Sequence, residues 1–487
     1  MGTKTKIIKT TEFSAKLCEY INESNLTVYK ISKLTGLGRT AIQHTMSGSL
    51  LPTKEFIDKL CSVLIVTPTQ KKELVELYTK EKIGPKRYYD RKQIRNIIEN
   101  LPQYYINMKG RTISNSSISI PTDKTASGIL NVNQTLINVI SKELMGESPE
   151  IYSTIPFENK ILYDTVLQLF VLCNKDTAFE HYMRIYKNSR DVFDGNLNTV
   201  ENILKMSMNA GVAYKPYCYY AYKEAADDNF PLFPYCLITS EYVVMVSADY
   251  QHAEISYGKR IVELAKNHID QLKQHSIPMV ELVDNKNTFD IFARSSRMFD
   301  KSLEFQPCLS KYLTLEIVSK RLKDIPEKEY ILNVLREAFF SPEQIEVTDN
   351  QVAKNVFVKK GLEHFAETGV MINLPGQLLD PLSVDERIYI LERMKKDVGT
   401  YYVMLDDKKL QVPDFIQIIH LNNQSCLISC LLEDKKFCCV ISEKSVCLSL
   451  EDFIQDLYES GITEEDSVVI DVIDECINKL KMFGEEK

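Results

Sequence analysis

Apolar residues recur at helical intervals over about the first eighty positions and at mixed intervals after that. Phe13, Leu17, Tyr20 and Ile21 fall three or four apart or side by side, which predicts a helix over 11–24 with one buried face. Thr27 places a capping hydroxyl before a short second helix whose Ile31 and Leu34 share a face. Gly36 and Gly38 interrupt it, because glycine adopts positive φ without a Cβ penalty. A third helix starts near Arg39 and turns Ala41, Ile42 and Met46 inward, leaving Arg39, Thr40, Gln43 and His44 outward. Gly48 ends it and Pro52 forbids its continuation. Phe56, Leu60 and Leu64 predict a fourth helix over 53–64, and 71–82 reads as a fifth.

From about 129 the periodicity mixes. Helical spacing covers 130–144, 161–173, 179–186 and 198–208. Strand-like runs cover 213–222, 235–240 and 242–247, the last two as a tight hairpin or one kinked strand, and a helix follows over 261–273. Beyond 286, helices over 305–321 and 328–340 precede strands over 398–405, 415–421, 426–432, 437–441 and 445–448, with a helical pair over 450–458 and 464–482 at the end. Ser341–Gln344 and Ser383–Glu386 have capping-box spacing, the second heading a helix through Arg393. The stretch 109–128, rich in Ser, Thr, Gly and Asn, reads as an irregular linker or exposed loop. The expected organisation is multidomain α+β. An all-α five-helix domain occupies 1–84, a basic linker 85–128, a mixed α/β domain 129–285, and helices plus antiparallel sheet 286–487.

Composition narrows the class. A chain of 487 residues holds two or three domains, and 44% hydrophobic with 26% charged residues supplies a full core, against wholesale disorder. No run approaches the roughly 20 apolar residues of a membrane span, and Met1–Lys9 lacks an apolar signal core, so a cytoplasmic protein without a membrane partner is expected. The twelve cysteines include no Cys-x-x-Cys pair, and they read as reduced core residues rather than disulfides or metal ligands. Charge is unevenly spread. Residues 1–110 carry 19 Lys+Arg against 10 Asp+Glu, net +9, and the remaining 40 and 57 leave net −17. A basic end on an acidic body fits phosphate binding on one side. The run Lys86–Lys92 with Arg95 reads equally as a helix near phosphate, a contact with a dimer partner, or a solvated connector.

The segment from Thr27 to Pro52 is similar to the helix-turn-helix of lambda-repressor-like, or XRE-type, DNA-binding domains. Ile31–Ser32 stand where that family has a leucine–alanine pair, Gly36 at its turn glycine and Ile42 at its recognition-helix isoleucine, with Gly48 and Pro52 closing the pattern. Ser32 departs from the usual alanine, and Met46–Ser47 from the acidic residue often found before the glycine. The resemblance covers roughly residues 10 to 80 and implies a five-helix DNA-binding domain. It implies base reading by Arg39, Thr40 and His44 with Gln43 adjacent. It also implies backbone anchoring near Thr27, Val28, Lys33, Ser47, Gly48 and Ser49, Val28 acting through its peptide N–H. The implied partner is a double-stranded DNA operator, read by a homodimer.

Tyr214, Tyr217, Tyr219, Tyr222 and Tyr235 concentrate amphipathic rings in a short span, which suits either a ligand pocket or packing between strands. His252 is the best functional imidazole after His44, with an ordinary surface histidine as the simpler reading. No phosphate loop, nucleophile turn, zinc-protease motif or dinucleotide fingerprint occurs, so no enzymatic activity and no cofactor are expected. The sequence therefore points to a sequence-specific transcriptional regulator whose C-terminal region senses a small-molecule or protein effector and dimerises. A protein-interaction scaffold that kept the helical module without DNA is the alternative, and an unfamiliar enzyme fused to a DNA-targeting domain a third reading.

Overall fold

The computed structural model describes residues 10–105, 124–173, 177–187, 195–210, 214–222, 232–283, 291, 299–324, 328–339, 354–374, 378–421, 425–432 and 435–485. Of the expected linker, residues 106–123 lie outside these residues, as does the Ser341–Gln344 cap. The chain divides into two compact units, the boundary falling between Lys92 and Gln93.

The first unit contains α1 (Glu12–Glu23), α2 (Val28–Thr35), α3 (Arg39–Met46), α4 (Lys54–Val63) and α5 (Pro68–Ile83). Four of these begin on a threonine. The hydroxyls of Thr11, Thr27, Thr53 and Thr67 accept the N–H groups of Ser14, Lys30, Phe56 and Gln70, satisfying donors that a helix start leaves open. Phe13, Leu17, Ile21, Ile31, Ile42, Ile57, Leu60 and Leu74 meet in one core. At its edge, Tyr20 donates to Glu73 Oε2 at 2.5 Å, Lys80 pairs with Glu12 at 2.7 Å and Lys71 with Asp58 at 2.9 Å, which hold α5 against α1 and α4. Leu34 is 59% exposed, against the expectation of burial. Positions three apart diverge by about 60° around a helix, and this small core takes only the narrow stripe through Ile31.

Helix α6 (Pro85–Asn100) carries the chain across the boundary. The second unit begins with β1 (Thr125–Ser127), α7 (Ile129–Leu144), β2 (Glu150–Ser153), α8 (Lys160–Cys173), β3 (Ala178–Lys187), α9 (Asn196–Ala210), β4 (Tyr214–Tyr222), β5 (Tyr235–Ile238), β6 (Tyr242–Val246), β7 (His252–Tyr257), α10 (Lys259–Gln274) and β8 (Ile277–Pro278). It continues with β9 (Val280–Leu282), β10 (Phe299–Glu304), α11 (Leu315–Arg321), α12 (Lys328–Phe339), β11 (Lys354–Phe357), α13 (Lys359–Thr368), α14 (Val384–Met394), β12 (Tyr402–Met404), β13 (Gln417–Leu421), β14 (Ser425–Leu432), β15 (Lys435–Ile441), α15 (Lys444–Glu459) and α16 (Asp466–Glu485).

These elements repeat one topology twice. The first sheet contains the order β4-β3-β2-β5-β6-β7 and the second β12-β11-β10-β13-β14-β15. In each, three strands run parallel through helical crossovers and the next three form an antiparallel meander. The far edge of each meander is covered by an antiparallel strand from earlier in the repeat, β1 on β7 and β9 on β15. Strand register makes Ser153 equivalent to Glu304 when Pro156 is matched to Pro307, and the same match sets Tyr214 against Tyr402, both buried. A continuous core joins the repeats, with Val200 and Ile203 of α9 and Val446, Cys447 and Leu450 of α15 among its members.

Several elements differ from the sequence expectation. Residues 179–186 form the interior strand β3, not a helix; between β2 and β4 it buries Phe179, His181, Met183 and Ile185 on one face and Tyr182 on the other, and the buried Tyr182 breaks the alternation that marks a strand. Residues 445–448 open α15 rather than form a strand, because the Glu443 carboxylate accepts the Val446 N–H at 2.9 Å and caps a helix there. The helix expected over 305–321 is confined to α11, since Pro307 cannot sit in a helix interior. Residues 235–246 do form the hairpin β5–β6, and Ser383 with Glu386 does form a capping box at α14.

Candidate nucleic-acid interface

Helices α2 and α3 are joined by a three-residue turn stitched by side chains. Gly36 ends α2 at φ +72°, and the Ser32 hydroxyl donates to the Leu37 carbonyl at 2.6 Å. Thr35 donates to the Ile31 carbonyl at 2.8 Å and accepts the Leu37 N–H at 3.3 Å. The serine that departs from the resembled pattern thus ties the turn itself.

On α3, Ile42 and Thr45 are buried, and Thr45 closes onto the Ala41 carbonyl at 2.9 Å. With that side fixed, Arg39, Thr40, Gln43 and His44 are exposed. The Arg39 guanidinium lies 5.4 Å from the ring centroid of Tyr29 on α2, a cation–π contact that orients it at the helix N-terminus. At the other end, His44 Nδ1 lies 2.9 Å from Ser49 Oγ, and both Ser47 and Ser49 hydroxyls contact the His44 carbonyl, at 3.0 and 3.1 Å. Gly48, at φ +73°, lets the loop fold back over α3. His44, Ser47 and Ser49 therefore form one hydrogen-bonded knot. Thr27 and Val28 lie apart from it at the start of α2, with Lys33 exposed one turn on.

The charges are sorted by helix. Residues 24–54 contain Lys30, Lys33, Arg39 and Lys54 and no Asp or Glu, while the acids of the five helices sit on α1, α4 and α5. Over 12–83 the balance is only ten basic against eight acidic residues, so the domain is nearly neutral and its positive character lies along the α2–turn–α3 segment. That distribution suits phosphate contact better than net charge alone suggests.

The tyrosine set is not brought together. Along β4, Tyr214 faces the side opposite to Tyr217 and Tyr219, as strand alternation requires. Tyr214 is buried beside His181 Nδ1 at 2.9 Å, whereas Tyr217 stacks on Tyr182 at 5.1 Å between ring centroids. Tyr235 stacks on Tyr250 at 5.6 Å, and the Tyr222 side chain lies outside the described residues. Tyr214 belongs to an aromatic cluster around His181, whose Nε2 lies 2.7 Å from the Ile155 carbonyl and 2.9 Å from the Tyr163 hydroxyl. Burial depresses this imidazole to about 4, opposed by the Ile155 hydrogen bond.

In the second repeat, burial pushes Glu304 up to about 7, although Ser302, Gln417, Asn373 and Asn355 all donate to it. The two groups act oppositely on stability. The depressed imidazole contributes stability present above 6.5 and lost as pH falls toward 4; the raised carboxyl contributes stability present below 4.5 and lost as pH rises toward 7. The contributions largely offset in the native chain. In urea unfolding across that range, His181→Gln is expected to lose stability as pH rises and Glu304→Leu to gain it. Parallel profiles for both variants would refute the assignment.

His252 opens β7 and is exposed, and no disulfide joins any of the twelve cysteines. Among the described residues, no helix is long and apolar enough to cross a membrane.

No family model matches the chain, and no curated protein matches it. Among solved structures it is similar to TrmBL2, described as an archaeal chromatin protein with a novel mode of DNA binding, at 13% identity over 55% of this chain and 93% of that one, with a TM-score of 0.20. A score that low carries no argument about fold or function.

Proposed function

We propose that the chain is a sequence-specific, double-stranded-DNA-binding transcriptional regulator, with α3 as its recognition helix. The observation that carries this reading is the acid-free segment 24–54, on which Arg39, Thr40, Gln43 and His44 stand exposed while Ile42 and Thr45 fix the opposite side of α3. Arginine there offers paired donors, and the glutamine amide a donor beside an acceptor, both of which match base edges in a major groove. Thr27, Val28, Lys33, Ser47, Gly48 and Ser49 serve as backbone contacts, through N–H groups, hydroxyls and one ammonium. A homodimer would present two recognition helices about 34 Å apart, one helical turn of an operator. The second unit, in this reading, sets that spacing and responds to a small-molecule or protein effector, which shifts operator affinity by its preference for one spacing. The role is one of binding rather than catalysis.

Arg39→Ala tests the assignment. It is expected to weaken specific binding by about 1 to 3 kcal/mol and binding to scrambled duplex much less. Equal losses on both duplexes, read by fluorescence anisotropy, would make Arg39 a phosphate contact.

A further inference from the structure

We propose that His420 and Glu451, oriented by Asp300, bind a first-row divalent cation of the zinc class in the second repeat. The three residues lie on β13, α15 and β10, far apart in sequence, and offer ligand atoms within 4.8 Å of one another. His420 is only 4% exposed, and its Nε2 has no hydrogen-bond partner among the described residues. That nitrogen faces Glu451 Oε2 at 3.8 Å. The separation is too long for an N–H···O hydrogen bond. It fits two ligand bonds of about 2.0 to 2.1 Å meeting at one metal at an angle of roughly 130°.

The other side of the ring is arranged to match. His420 Nδ1 lies 3.1 Å from Asp300 Oδ2, and donation there leaves the lone pair on Nε2, as in the carboxylate–histidine–metal arrangement. Asp300 reaches this position because the pairing of β10 with β13 slips between Phe299 and Lys301, a strand irregularity of the kind that re-aims side chains. Lys301 reaches the same cluster, its Nζ at 2.6 Å from Glu451 Oε1 and 3.3 Å from Asp300 Oδ2. One ammonium against two carboxylates leaves a net negative charge when the imidazole is neutral. The bond to the metal is made by Oε2, so Lys301 keeps its contact with Oε1, and solvent completes the coordination. A nitrogen and oxygen donor set with one imidazole suits zinc and its first-row neighbours over calcium or magnesium.

The test uses the full chain, stripped with chelator, dialysed against zinc chloride and assayed for bound metal by mass spectrometry. Wild type is expected to retain one equivalent more than Glu451→Gln and than His420→Asn, with cysteine-bound zinc common to all three. Equal zinc in all three folded proteins would overturn the proposal. Anomalous diffraction at the zinc edge from wild-type crystals needs no variant. A peak at bonding distance from His420 Nε2 is expected, and peaks confined to cysteines would refute the site.

Discussion

Ile42→Ala is expected to destabilise the five-helix unit by about 2 to 4 kcal/mol and to abolish DNA binding with it. Ile42 is fully buried and belongs to the core that also takes Leu17, Ile31, Leu60 and Leu74. A unit of this size has a total stability of several kcal/mol, at roughly 0.05 to 0.15 kcal/mol per residue, so the loss is a large share of it. The same residue positions α3 by holding the side opposite Arg39, Gln43 and His44. Hydrogen exchange on the full chain separates the effects. Amides of α1 to α5 should exchange some 30- to 1,000-fold faster, while those of α7 to α16 stay unchanged. Gln43→Ala, one position away and exposed, should leave exchange unaltered. A similar small change for both substitutions would mean that α3 is not seated on this core.

Gly361→Ala is expected to cost about 3 kcal/mol or more, at the upper end of overpacking effects. A Cβ built there would lie 1.8 Å from the Phe305 carbonyl oxygen, 2.4 Å from its carbon and 2.8 Å from the Gln306 nitrogen. All three are backbone atoms, so no side-chain rotation relieves the contact. Glycine here allows the first turn of α13 to approach the end of β10, directly after the Glu304 network. Gly36→Ala supplies the contrast. That glycine sits at φ +72° with nothing within 4 Å of its missing Cβ, so only backbone strain of about 1 to 2 kcal/mol is expected. If urea midpoints show Gly361→Ala no worse than Gly36→Ala, the close approach of α13 to β10 is wrong.

The parts of the fold that were legible in the sequence are those fixed by local chemistry. Thr27, Gly36 and Gly48 mark helix ends through their own hydrogen bonds and dihedrals, which need no distant partner. Leu34 shows where this stops, because apolar spacing states which residues share a face and not how wide the core beneath is. Strands β2, β10 and β11 have only four to six residues, and pairing partners far along the chain define them. The duplicated topology was invisible for the same reason, with little beyond Pro156 and Pro307, and Tyr214 and Tyr402, left as a trace. The sequence left the tyrosine set open between a pocket and strand packing, because whether its members share a face depends on the alternation along β4, which puts Tyr214 opposite Tyr217 and Tyr219. Asp300 and Glu451 meet His420 only through the sheet and α15, so no local spacing in the sequence marks the three as a group.

The central claim is that the α2–turn–α3 face binds DNA, and a salt series tests it most directly. The full chain is titrated by fluorescence anisotropy against the duplex lying upstream of its own coding sequence and against a scrambled duplex. Binding is expected to favour the upstream duplex. The logarithm of affinity should fall linearly with the logarithm of salt, by about 0.9 per phosphate neutralised, so that phosphate contacts by Lys30, Lys33 and Lys54 give a slope near −3 per copy. Absence of binding to either duplex at low salt, or binding with no salt dependence, would contradict the account and favour a protein-interaction module in its place.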